Sequence, residues 1–431
     1  MINVNDFKGL TDNETIEKAL ANLDSERTLV ISPRISDIEP ERDFWLLDRA
    51  ILLPQDTTLI IRNTTIKLSD NCRDNFIRSA NCGIGITNPI NISNIHIKGE
   101  GRAILIGADK PRSTGDGEKI LANPCPYLDE DLCKYADWID EERRKIGAPN
   151  FEEKHNHSFG TDAGKEGESQ VGDWRNIGIL LAKVDHFSIS GIKIVDSHGW
   201  NISLEDCSFG SVEKIEFWAS MYRNIDGMLQ NSENQDGIDL RNGCHDIIIS
   251  DITGRTGDDV IALTAIAIDT PNPLPSGSFC NTHVLSSDWK NREKNIYNVI
   301  IRNVMAYSSL CFTIRLLPGN TVIKNIVIDN VIDTSPEGHT HGTGLELGNL
   351  NPNWGLSAPD SICNLSVSNV VSKANSCISI VSRIKDSCFT NIIARNPNSA
   401  AINLYTKDAF NNVKTSNLVS VSGKEIDERW A

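Results

Sequence analysis

No stretch of this 431-residue chain approaches 18 uninterrupted apolar residues, which excludes an ordinary membrane-spanning helix. Its opening, Met1-Ile2-Asn3-Val4-Asn5-Asp6-Phe7-Lys8, has no basic segment leading into an apolar one. The expectation is therefore a soluble, cytoplasmic protein, or a secreted one whose leader has been removed. Basic residues are scarce: 42 Lys and Arg stand against 58 Asp and Glu, a net charge of −16. That excludes a generally basic nucleic-acid binder. The chain holds 11 cysteines, an odd number, but no Cys-x-x-Cys pair, so ribbon-type metal sites and dithiol redox motifs are absent. Most cysteines, such as Cys207, Cys311, Cys377 and Cys388, stand among apolar or small residues and read as buried thiols filling core space. With 39% hydrophobic and 23% charged residues, the composition is that of a globular protein with a substantial core.

What is present is a repeat. Short apolar-alternating runs recur at Ile92–Ile97, Phe187–Ile194, Val212–Phe217, Ile247–Ile252, Val299–Val304, Ile326–Val331, Leu365–Val370, Cys388–Ile392 and Val413–Leu418. Their last apolar positions, from Ile192 through Ile215, Ile252, Val304, Val331, Val370 and Ile392 to Leu418, are separated by 23, 37, 52, 27, 39, 22 and 26 residues. A unit of 22 to 27 residues, with longer gaps holding an extra coil or a loop, describes these spacings. A turn-forming Asn precedes many anchors: Asn303, Asn330, Asn369, Asn391 and Asn417. Short strands at a fixed period, without helical patterns between them, predict a single-domain, all-β parallel β-helix over 1–431 rather than an alternating βαβ sheet. A β-sandwich with irregular loops is the bland alternative.

Thr11-Asp12-Asn13-Glu14 has capping-box spacing, and Ile16, Ala19 and Leu20 continue a helical stripe, so residues 11–23 are expected to form a helix covering the N-terminal end. Residues 109–173 interrupt the repeat with 16 acidic and 9 basic side chains. They read as an insertion beside the cleft, helical over Asp129–Lys145.

Two consecutive repeats carry the chemistry. One holds Glu233-Asn234-Gln235-Asp236-Gly237-Ile238-Asp239-Leu240, the next Thr256-Gly257-Asp258-Asp259-Val260-Ile261-Ala262-Leu263. Asp236 and Asp258 are 22 residues apart, one repeat, so stacking places Asp236 beside the Asp258–Asp259 pair. Carboxylates this close repel, raising at least one pKa and leaving another group ionised, the acid–base separation that glycoside hydrolysis requires. Gly237 and Gly257 are expected to let the backbone bend. Either motif alone reads equally as turn-forming Asp beside Gly, and the three acids together would also suit calcium.

In these residues the chain resembles glycoside hydrolase family 28, the polygalacturonases and related pectin hydrolases. Asn234-x-Asp236-Gly237 and Gly257-Asp258-Asp259 are similar to the family's Asn-Thr-Asp-Gly and Gly-Asp-Asp motifs, and the likeness covers about Trp174 to Arg315. It implies a right-handed parallel β-helix and hydrolysis with inversion, without a cofactor. By position, Asp258 would be the general acid, and Asp236 and Asp259 would activate water. The family's later Gly-His-Gly and Arg-Ile-Lys motifs have partial counterparts in His283, without flanking glycines, and in Arg315, with Leu317 where the lysine would stand. The missing lysine favours a neutral or differently charged glycoside over galacturonate.

Further candidates for substrate contact are Asn234, Arg241 and His198, with Trp200 either a stacking platform for a sugar or a core residue. Arg223 and Glu346 are lesser candidates, and His339-Thr340-His341 reads as a glycine-flanked loop more than a metal pair. The expected partner is an oligosaccharide, not nucleic acid or membrane, and a homo-oligomer is left open. Long segments 109–173 and 266–295 suggest a groove closed at one end and exo action. Two other functions fit the same pattern: a calcium-dependent uronate lyase or epimerase with Arg315 as base, and a non-catalytic glycan-binding β-helix.

Overall fold

A computed structural model of the chain describes residues 1–109, 176–265 and 295–430, apart from 73, 84–85, 87–88, 221, 226–227, 232–234, 320, 340–341 and 351–355. The predicted helix at Asp129–Lys145 and nearly all of the 109–173 insertion lie outside the described residues, as does most of 266–295. By density of contacts the chain groups into two units, Met1–Cys207 with Trp218–Gln235 and Thr270–Asp288, and Ser208–Phe217 with Asp236–Asp269 and Trp289–Ala431.

Each unit is built from parallel strands that stack coil upon coil. In the first unit, Ile2–Asn3, Thr28–Ile31, Thr57–Leu68 and Ile92–Ile106 pair in succession, with Val184–Ser190 and Lys193–Val195 on the last of them. A second parallel set runs through Ile51–Leu53, Ile77–Ser79, Ile179–Ala182 and Ile202–Glu205. The N-terminal helix is Asp12–Ala21, two residues shorter at its end than expected. The Thr11 side chain accepts the Glu14 N–H, Ile16 and Ala19 are buried, and the helix packs on the strands Trp45–Leu47 and Ile51–Leu53. Asp12 is held there by Arg34 at 3.0 Å and Arg42 at 2.5 Å. Tyr222–Ile225 and Met228–Asn231 form an antiparallel hairpin in the 37-residue gap between Ile215 and Ile252.

In the second unit one sheet runs through His245–Thr256, Ile296–Ser308, Ile323–Asp333, Ile362–Ser372, Ile384–Ala394 and Phe410–Ser420. The other runs through Ile238–Arg241, Ile261–Ala265, Phe312–Pro318, Thr343–Leu347, Ser376–Ile380, Ile402–Leu404 and Ile426–Glu428. The anchors read from the sequence fall opposite one another: Ile252 on Val304, Val304 on Val331, Val331 on Val370, Val370 on Ile392, and Ile392 on Leu418. Direct pairing across the 52- and 39-residue gaps shows that no extra coil is inserted between these strands.

The asparagines before the anchors bend the strands. Asn303, Asn330, Asn369, Asn391 and Asn417 all have φ between 52 and 58°, the left-handed region that Asn tolerates better than most residues. Each kink places two outward residues in a row, as in the burial sequence of Ile323–Asp333, and returns the next Ile or Val to the core. The side chains also stack: Asn330 donates to Asn303, Asn391 to Asn369, and Asn417 to Asn391, each at 2.9 Å. Inside, Ile249, Ile301, Ile328, Val367 and Phe389 form one fully buried column.

Candidate active site

The three aspartates are brought together in the second unit. Asp236 leads into the strand Ile238–Arg241, and Asp258 and Asp259 lead into Ile261–Ala265. These strands are adjacent, with Ile238 opposite Ile261 and Asp239 opposite Ala262. The Gly237 N–H donates to the Asp259 carbonyl at 2.7 Å, so the two motifs touch through their backbones. A side chain at Gly237 would meet the Val260 carbonyl oxygen at 2.3 Å and the Phe217 ring at 2.9 Å. This glycine permits close approach of the coils, and the backbone bends at both Gly237 and Gly257, as expected, without a positive φ at either.

The pair is fixed by short hydrogen bonds. Thr256 Oγ1 donates to the Asp258 carbonyl at 2.6 Å and the Asp259 N–H to Asp258 Oδ1 at 2.9 Å. From the following coil, the Phe312 N–H donates to Asp259 Oδ1 at 3.1 Å. Asp236 and Asp259 are buried and Asp258 is half-buried. Burial pushes the carboxyls of Asp236 and Asp259 well above the usual carboxylate range, and neighbouring aspartates push them further. The group therefore holds protons at a pH where isolated aspartates would be ionised.

A fourth acid belongs to the cluster. Asp239 is buried, its Oδ2 accepts no hydrogen bond among the described residues, and burial raises its pKa against the lowering pull of Arg241 and Arg315. Its signal was present in the motif, three residues after Asp236 on an outward strand position, but a strand carboxylate next to a turn gives no sign of burial. Cys311 is another member that sequence reasoning misplaced among the core thiols. Its Sγ and one carboxylate oxygen each of Asp258 and Asp259 lie within 4.8 Å of one another, and burial with the adjacent acids raises its pKa far above that of a free thiol. No spacing could reveal this, because Cys311 follows Asp259 only after the long 266–294 segment. Cys207 and Cys377 are buried as expected, whereas Cys388 is exposed.

Arg315 sits in the same register column, opposite Ala262 on one side and Glu346 on the other. Its Nη1 is 3.9 Å from Asp259 Oδ2, its Nη2 is 3.8 Å from Glu346 Oε1, and its guanidinium lies 4.8 Å over the Phe312 ring. Burial raises the Glu346 carboxyl and Arg315 partly opposes it. Arg241, expected to flank the acids as a substrate contact, is fully buried, and its charge offsets that of Asp239. Trp200 is a core residue of the first unit, packed with Cys82, Ile177, Leu180 and Ala182, which decides against the stacking platform. His198, in the same unit, is buried and its Nε2 accepts the Ala108 N–H at 3.0 Å. His339 follows Gly338, whose φ is +80°, and sets its ring edge against Tyr307 at 5.4 Å, in keeping with the loop reading. Asn234, His283, His341 and the side chain of Arg223 lie outside the described residues.

The stacked coils are shared with known structures. An exopolygalacturonase from Thermotoga maritima matches at TM-score 0.50 and 14% identity over 96% of this chain and 91% of its own. A tailspike protein of E. coli bacteriophage HK620, solved with a pentasaccharide, matches at TM-score 0.52 and 10% identity over 95% of this chain and 66% of its own. In fold, this chain is a polygalacturonase-like, right-handed parallel β-helix. No family model and no curated protein matches the sequence. At these identities the likeness establishes the polygalacturonase-like β-helix and leaves the chemistry to the site itself.

Proposed function

We propose that the chain is an inverting glycoside hydrolase that cleaves an α-glycosidic bond, from chain ends, in pectin-derived or related oligosaccharides. The observation that carries this reading is the meeting of Asp236, Asp258 and Asp259 across two adjacent coils, with burial and mutual repulsion keeping protons in the group. Such a cluster supplies both forms that hydrolysis needs, a carboxylic acid and a carboxylate. Asp258, the least buried of the three, gives its proton to the departing glycosidic oxygen. Interacting carboxyls share their protons, so when Asp258 carries one, one of Asp236 and Asp259 is left ionised and takes a proton from water as the water oxygen bonds to the anomeric carbon from the opposite face. The C–O bond to the leaving group breaks, and the released sugar carries the inverted configuration. The neighbours named above, an exopolygalacturonase and a tailspike seen with a pentasaccharide, support a glycan as the molecule handled.

The lyase reading fares less well on the same geometry. Its base would be Arg315, but two carboxylates within 4 Å stabilise the guanidinium as a cation and oppose proton abstraction. Its calcium would need clustered oxygens, whereas the tight group among the described residues is two carboxylates and a thiol. The test is a screen of pectic and neutral oligosaccharides for released reducing sugar, with the first-formed anomer read by proton NMR. Cleavage of an α-linkage yielding the β-anomer first, unaffected by a chelator, supports the proposal. An unsaturated product absorbing in the ultraviolet, or glycan binding without any released sugar, would refute it.

A further inference from the structure

A strand with one face on a core and one in water alternates apolar inward residues with polar outward ones. In the kinked sheet of the second unit one outward column departs from this rule. The residue after each core anchor is aliphatic: Met305, Ile332, Val371, Ile393 and Val419 stand opposite one another on five successive strands. Met305, Ile332, Ile393 and Val419 are between 37% and 55% exposed, and Val371 between them is half-buried. At the ~4.8 Å spacing of paired strands, the stripe is about 20 Å long. It follows Thr253 on the preceding strand and ends on Phe410–Ser420, the last strand of that sheet among the described residues. Single exposed aliphatic residues are ordinary, but a contiguous row of them marks an interaction surface.

We infer that this stripe is the contact of a two-fold dimer, its occupant the same stripe on a second copy of the chain. Charge favours that partner. Copies of a chain with a formal charge of −16 repel one another, so they meet most readily where no charge comes forward. Neither the stripe nor the row of asparagines from Asn303 to Asn417, two residues before it on each strand, carries a charged side chain. The asparagines also fix the axis. An amide has two donors and two acceptor sites, and Asn391 uses one of each on its own neighbours, Asn369 and Asn417. With the two-fold axis along the strands at Val371, the asparagine row faces its own copy, amide to amide. The same axis sets Ile332 against Ile393 of the second copy and Met305 against its Val419. So narrow a contact stands at the small end of stable interfaces, and the dimer is expected to depend on concentration.

The test is sedimentation equilibrium of the full chain between about 1 and 100 µM, where the wild type is expected to pass from monomer to dimer. Ile332→Lys and Ile393→Glu each place an unpaired charge in the apolar contact, and each is expected to weaken association at least about tenfold. The two variants shift the net charge in opposite directions, so a loss common to both reports the contact itself. Combining Ile332→Lys with Ile393→Glu is expected to recover most of the loss, because about this axis each introduced charge meets its opposite on the other copy. Both positions are exposed, and circular dichroism checks that the variants fold. The wild-type measurement stands by itself if they do not: a chain that remains monomeric at about 100 µM overturns the inference and leaves the stripe to a partner of another kind. Single variants that associate like the wild type, or a double variant as weak as the singles, overturn it as well.

Discussion

Asp236, Asp239 and Asp259 are kept in an environment that favours their neutral forms, and this has a consequence for stability. In the unfolded chain such carboxyls ionise near about pH 4. In the folded chain their pKa values are raised, so the native state binds more protons than the unfolded state as pH increases. Their contribution to stability is full below about pH 4 and is lost as pH rises through the raised values. Asp236→Asn removes one such group: the melting midpoint should lie above that of the wild type at pH 8, by about 1 °C for each ~1 kcal/mol relieved in a chain of this length, and the two should converge at pH 4. Differential scanning calorimetry at both pH values checks this, and a variant less stable than wild type at pH 8 would contradict it. At this scale the three acids were legible because Asp-Gly and Gly-Asp-Asp fall one repeat apart. The burial of Arg241 and the thiol of Cys311 beside the acids depend on side chains from distant coils, and the local sequence carries no trace of them.

The kinked strand is the element that makes each coil. Asn391 shows both reasons for asparagine there: φ is 58°, and its amide donates to Asn369 while its carbonyl accepts from Asn417. Asn391→Ala should cost about 1–2 kcal/mol for placing an alanine in the left-handed region, and Asn391→Gly clearly less. Urea unfolding of both variants measures the difference, and equal losses would show that the ladder rather than the dihedral angle matters. Gly237 is a second test of an element. Because its Cβ would lie 2.3 Å from the Val260 carbonyl oxygen, Gly237→Ala should cost about 1–3 kcal/mol and lower turnover as Asp236 moves away from Asp259. The strand register was readable from the sequence because Ile and Val recur after each Asn. The close approach at Gly237 was not, because a glycine beside Asp suggests a bend and gives no sign of the neighbour that it also admits.

For the whole molecule, repetition explains why so much of the architecture follows from spacing alone. Parallel stacking converts a period near 22 to 27 residues into columns, such as the one from Ile249 through Ile328 to Phe389, and a buried column also aligns what lies outside it. Ile328→Ala, in the middle of that column, should destabilise the chain by about 2–5 kcal/mol in denaturant titration. The same stacking carries Asp239, Ala262, Arg315 and Glu346 into one line beside the Asp258–Asp259 pair. The longer gaps were ambiguous in the sequence, since a loop and an extra coil have similar lengths; the direct pairing of Ile252 with Val304 shows that no extra coil is inserted between their strands.

The most direct test of the proposed chemistry is the turnover of Asp258→Asn on the oligosaccharide that the wild type cleaves fastest. Amide in place of acid keeps shape and removes the transferable proton, so kcat should fall by at least about 10²-fold with the fold intact by circular dichroism. A folded Asp258→Asn variant that turns over at the wild-type rate would contradict the account.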